Sequence, residues 1–246
     1  MSATAPSRRS AGSPSLTRCA ATRLSEPGGQ CGPTWFIQAG AALREAMRAN
    51  GDSRGRNLCS RGGSMTDFAY EEGRWEPPVA GDEDATLLGF LERQRATFAW
   101  KTKGLDAAGL RATLGSSAMT LGGMLKHLAR FEDDMSTEWL HGREQLPPWN
   151  AVDWSADPAW DWRSAADDTP EQLYARWHDS VARSRALFAA AMAEGGPARR
   201  AGGPDSPAPS LRYILLNMIE EYARHNGHAD LIRESIDGRV GHDPPG

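Results

Sequence analysis

Four stretches of the chain repeat apolar residues at helical spacing, and none alternates with the two-residue period of a half-buried strand. Between Asp82 and Gly104, Leu87, Leu88, Leu91, Ala96 and Phe98 supply the apolar positions, acids fill the first turn, and Lys101 and Lys103 lie near the end, where they suit the helix dipole. A second run opens at Thr120, a natural N-cap, and extends to about His141 with Leu121, Met124, Leu128, Phe131 and Met135 in one stripe. In Thr169-Pro170-Glu171-Gln172 an N-cap, a first-position proline and a capping-box Gln open a third run. It reaches about Glu194, ahead of Gly195-Gly196, and its apolar line includes Leu173, Trp177, Val181, Leu187 and Phe188. Ser210 caps the fourth, Leu211 to about Ile236, with Leu211, Ile214, Leu215, Met218, Tyr222, Ala229 and Ile232 on one face and Gly238 as the breaker. The pattern predicts an all-α fold. An antiparallel four-helix bundle is the economical way to bury four such stripes.

The stretch Gly142–Asp168 carries Trp149, Trp154, Trp160 and Trp162 among Pro and Asp. A connection this long is uncommon in a compact domain unless it has a role. It is expected to fold over one end of the bundle, either merely covering helices or walling a small-molecule pocket.

Charge divides the chain more sharply than its net value of -4 suggests: residues 1–64 hold 9 Arg against 3 acids, and residues 65–246 hold 19 basic against 29 acidic. The first segment is rich in Ser, Arg, Gly and Ala and is expected to be a disordered extension. Within it, Thr34–Asn50 has the pattern of a short amphipathic helix, marginal by itself. No apolar stretch follows Arg8-Arg9, which argues against an export signal. Composition breaks at Met65, the expected true start of a 65–246 bundle domain, with 1–64 read as upstream sequence. Cys19, Cys31 and Cys59 all lie before it, so the body has neither disulfides nor thiolate ligands. An acidic body lacks the basic stripe that nucleic acid requires, and no run approaches the roughly 20 apolar residues of a membrane span. Neither partner is expected, and a cytoplasmic location is.

Three polar residues interrupt the apolar stripes. With Met218 as reference on the fourth run, Glu221 falls roughly 60° and His225 roughly 20° away, inside the arc that should face the core. On the second run His127 falls roughly 60° from Met124, at the stripe's edge. A carboxylate and an imidazole one turn apart, joined by an imidazole from another helix, would form a compact N/O set with coordination positions left open. The alternative is a neutral His127, with Glu221 and His225 satisfied by Arg224, Tyr222 or another polar group. His228 is a candidate fourth or substitute ligand, and His141, His178 and His242 are expected in solvent-exposed roles. No G-x-G-x-x-G, P-loop, G-x-S-x-G or H-E-x-x-H occurs, and Gly122-Gly123 suits close helix approach better than phosphate binding.

"TLGGMLKHLARFEDD" and "SLRYILLNMIEEYARHNGHADLIRE" resemble the DinB/YfiT-like metal-binding superfamily, in its uncharacterised actinobacterial branch. The resemblance covers about Pro77 to Gly246, including the Trp-rich connection. It implies a four-helix bundle, often a homodimer, holding a divalent metal (zinc, nickel, iron or manganese) through His127, Glu221 and His225. The family's frequent His-Arg-Gly-Gln run aligns with His225-Asn226-Gly227-His228, and Glu at 221, where most relatives have His, resembles the mycothiol-dependent isomerases. The function it implies is a metal-dependent thiol transferase or isomerase, using mycothiol or another low-molecular-weight thiol on a small electrophile. The rivals are a non-catalytic metal-stabilised bundle that binds a ligand or partner, and a bundle without metal.

Overall fold

The four apolar stripes become four long helices in the structure, a computed structural model that describes residues 76–203 and 205–241. The extension 1–64, the Thr34–Asn50 helix, the Met65 start, the three cysteines and His242 lie outside the described residues. The helices are α1 (Glu83–Thr102), α2 (Ala107–Arg111), α3 (Leu121–Asp133), α4 (Trp160–Ser164), α5 (Pro170–Gly195) and α6 (Leu211–Asp237). No strand occurs among the described residues, only an isolated bridge between Arg200 and Ser210.

Local chemistry sets the ends. Side-chain oxygens of Asp82, Thr120, Thr169 and Ser210 each accept a backbone N–H in the first turn of their helix. At Thr169 the reciprocal bond from Gln172 completes the capping box. Each such cap typically stabilises its helix by about 1 kcal/mol, because it satisfies a donor that has no partner within the helix. Gly238 ends α6 in the left-handed region at φ 75°, a conformation glycine adopts without a Cβ penalty.

The long helices meet in one core, with α1 packed against α6 and α3 against α5. Leu91 and Phe98, Met124 and Leu128, Trp177 and Val181, and Ile214 and Met218 bring all four stripes into it. Deleting such a buried side chain costs about 2–5 kcal/mol.

Three features differ from the sequence reading. The second run changes winding after Asp133 and continues as a π-helical turn over Asp134–Trp139. Lys101, assigned to the helix dipole, is buried: its ammonium pairs with Asp230 at 2.6 Å and donates to the Gly241 carbonyl. The Trp-rich connection lies along α3 instead of closing one end. Trp160 receives Lys126 and Trp154 receives Arg130 in cation–π contact, and Trp149 Nε1 donates to Asp133 at 2.9 Å. It covers the polar side of α3, so Lys126 and Asp133 are buried there, while Glu132 is buried on the core side against Arg95, Ser184 and Tyr222.

Candidate metal centre

Position along two helices brings three side chains to one point. His127 projects from α3, and α6 carries Glu221 and His225 one turn apart. Glu221 Oε1 lies 3.1 Å from His127 Nε2 and 3.1 Å from His225 Nε2. One ligand atom from each residue falls within 4.8 Å of the other two. The side chains are 15%, 8% and 6% exposed respectively, so the cluster is nearly enclosed, with His127 its most exposed member.

Donor chemistry and spacing both fit a cation. Metal–nitrogen and metal–oxygen bonds of about 2.0–2.2 Å place neighbouring ligands of one ion roughly 3.0–3.5 Å apart. The two 3.1 Å separations fall in that range. Glu221 Oε2 is buried with no hydrogen-bond partner, its ion pair to Arg224 being 3.8 Å long. A buried carboxylate oxygen in that condition is poorly compensated by the protein alone. Tyr222, weighed from the sequence as a partner for the pair, instead donates to Glu132 at 2.7 Å.

The second nitrogen of His127 is also engaged. Asp161 on α4 accepts from Nδ1 at 2.9 Å and is fully buried. Its neighbour Trp162 stacks on the His127 ring at 4.7 Å between centroids and meets His225 at 5.4 Å. Gly123 admits the indole: a Cβ there would stand 2.8 Å from Trp162 Cε3. The expected close approach at Gly122-Gly123 is therefore real, with an indole at Gly123 and the Leu110 carbonyl at Gly122. Trp162 also lines a cleft of about 230 Å³ with Thr120, Gly122, Arg111 and Leu173. Asp161 and Trp162 were absent from the sequence-derived site. The available signal was an acid beside the connection's tryptophans.

Electrostatics follow from this geometry. Burial opposes a charge on His127, but hydrogen bonds to Asp161 and Glu221 outweigh it and raise its pKa to about 9. Burial likewise opposes the Glu221 charge, yet His127 and His225 hold its carboxyl well below the usual range. For His225 burial prevails over Glu221 and lowers the pKa. Without a cation, the charged His127 imidazolium donates from Nδ1 to Asp161 and from Nε2 to Glu221, and the Nε2 proton lies where a cation would bind.

The remaining histidines stay apart. His228 Nδ1 lies 3.5 Å from the Nδ1 of His225, on the side away from the three-residue cluster. His178 is exposed, as expected. His141 departs from that expectation: it is half-buried beside Arg199, its Nε2 has no partner, and burial pushes its pKa down to about 4.

A family model described as mycothiol-S-transferase matches residues 86–238, from the first turn of α1 to the end of α6. The chain belongs to the mycothiol-S-transferase family. This family is DinB/YfiT-like, in agreement with the resemblance carried by α3 and α6. His127, Asp161, Glu221 and His225 all lie inside the matched span. A search of curated proteins returns no match. No helix among the described residues is long and apolar enough to cross a membrane.

Proposed function

We propose that the protein is a divalent-metal-dependent thiol S-transferase or isomerase, with His127, Glu221 and His225 as metal ligands. The observation that supports this reading is the convergence of two imidazole nitrogens on one buried carboxylate oxygen, each 3.1 Å from it. When bound, the cation supplies Lewis acidity that lowers the pKa of a thiol toward neutrality, which makes the sulfur nucleophilic. The chain's own residues bind and enclose. The three ligands hold the cation, Asp161 accepts the Nδ1 proton of His127, and Trp162 shields the imidazole pair from water. Residues 65–246 contain no cysteine, so the thiol comes from a cosubstrate. Family membership favours mycothiol or a similar small thiol, and a small electrophilic molecule as its acceptor. A homodimer in the cytoplasm belongs to the same proposal and is read by light scattering and fractionation.

Elemental analysis of the untagged protein, beside His127→Ala, tests the metal first. Wild type is expected to retain a divalent ion and the variant to lose it. Wild type purified under metal-replete conditions without bound metal overturns the reading. A thiol should then perturb the visible spectrum of the cobalt-substituted protein and be consumed in the presence of an electrophile. A spectrum unmoved by thiol would leave a non-catalytic, metal-stabilised bundle.

A further inference from the structure

We infer that Asp161 is a positioning residue for the metal site: it fixes the tautomer and the ring orientation of His127, so that Nε2 presents its lone pair to the cation. The inference rests on the proposed metal site and extends it to a residue 34 positions away from its partner, in the Trp-rich connection.

The geometry around Asp161 leaves its carboxylate little freedom. The residue is 0% exposed. Oδ1 accepts the backbone N–H of Trp162 at 3.0 Å, and Oδ2 accepts His127 Nδ1 at 2.9 Å. Arg130 approaches the same Oδ2 at 3.4 Å and is itself held by Asp134 at 3.1 Å and by the face of Trp154. A buried charge persists only when compensated, and here the compensation comes from an imidazole N–H and a guanidinium.

For neutral His127 to donate from Nδ1, the proton must reside there, which leaves Nε2 as the nitrogen with a lone pair. That nitrogen is the one 3.1 Å from Glu221 Oε1. A half-turn of the ring would instead place carbon at both positions. Trp162, stacked on the ring at 28° between planes, hinders that rotation. Hydrogen bond and stacking contact come from adjacent residues of α4, so one short helix sets both the proton and the plane of a ligand on α3.

Competitive chelation of zinc, with wild type, Asp161→Asn and Asp168→Asn compared, tests the assignment. Asp168 is the control. It ties the same connection to α3 through Lys126 at 2.6 Å but does not touch His127. Loss of an outer partner to a metal-bound histidine typically weakens affinity about 10- to 100-fold, and D161N is expected to fall in that range while D168N stays near wild type. D161N should also shift the visible bands of the cobalt-substituted protein. Equal weakening in both variants would attribute the effect to docking of the connection and overturn the assignment. Should D161N fail to fold, nitrogen NMR of zinc-loaded wild type gives the answer directly: His127 is expected to show a protonated Nδ1 and a metal-bound Nε2. The reverse pattern overturns the inference. Wild-type affinity in D161N overturns this inference alone, whereas wild type that takes up no metal overturns the functional reading together with it.

Discussion

Two buried polar clusters share helices α3 and α6, and only one of them has the form of a ligand site. In the first, Arg95 donates from Nε and Nη2 to both oxygens of Glu132, at 2.7 and 2.5 Å, and Ser184 and Tyr222 donate to the same carboxylate. Trp177 Nε1 completes the layer by donating to the Tyr222 hydroxyl at 2.9 Å. Burial opposes the Arg95 charge, but Glu132 and Glu92 overcome it and raise its pKa. In the second cluster, two imidazole nitrogens and Glu221 Oε1 converge on a common point and leave Glu221 Oε2 without a hydrogen bond. Donors and acceptors balance in the first, whereas the second leaves a buried carboxylate oxygen unsatisfied. A buried polar residue therefore marks a site only when its neighbours fail to complete it.

Breaking the balanced cluster should produce the largest effect. Glu132→Ala strands the Arg95 guanidinium, and such an uncompensated buried charge costs about 3–5 kcal/mol. Chemical denaturation should register that loss, while the folded fraction still binds metal. Unchanged stability would mean that Glu92, 2.6 Å from Arg95, suffices by itself.

The opposite profile is expected for Glu221→Gln. Metal affinity should fall more than about 100-fold, beyond the usual loss for an outer partner, because a direct ligand is weakened. Stability of the metal-free form should change far less than in Glu132→Ala. A variant that keeps its metal would remove Glu221 from the ligand set.

Acid–base behaviour sharpens the contrast further. The His127 pKa is raised to about 9 in the metal-free fold from an ordinary 6.5. The stabilisation from its proton is fully present below pH 6.5 and is lost as pH rises through about 9. A cation competes with that proton, so zinc affinity should climb over the same window, by up to about tenfold per pH unit. Chelator competition across this range checks the slope. A flat profile would show that metal binding displaces no proton.

The smallest effect is expected at Gly227. It lies exposed within α6, and a Cβ added there would meet nothing within 4 Å beyond the helix's own backbone. Gly227→Ala should stabilise the fold by about 1 kcal/mol through helix propensity, visible as a raised Tm with unchanged metal affinity. A loss of affinity would place the backbone between His225 and His228 among the determinants of the site.

Much of this was legible in the residue pattern. Thr120, Thr169, Ser210 and Gly238 announced helix boundaries because capping is local, and the structure differs from the predicted ends by only a residue or two at those positions. The inward arc of α6 was equally readable: Met218, Glu221, Tyr222 and His225 are all buried. Periodicity also nominated His127, Glu221 and His225, whose ligand atoms the fold brings together. It gave no warning that Arg95 and Lys101 would be buried on α1, since long cationic side chains ordinarily mark a solvated face.

Amino-acid order alone determined the helices, their caps and the sides they turn inward, for these depend on neighbours within about one turn of helix. Tertiary structure decided what meets those sides: Asp161 against the far nitrogen of His127, Trp162 in the space left by Gly123, and Glu132 between Arg95 and Tyr222. Each of these contacts joins residues more than 30 positions apart, where helical spacing carries no information and only packing selects the partner.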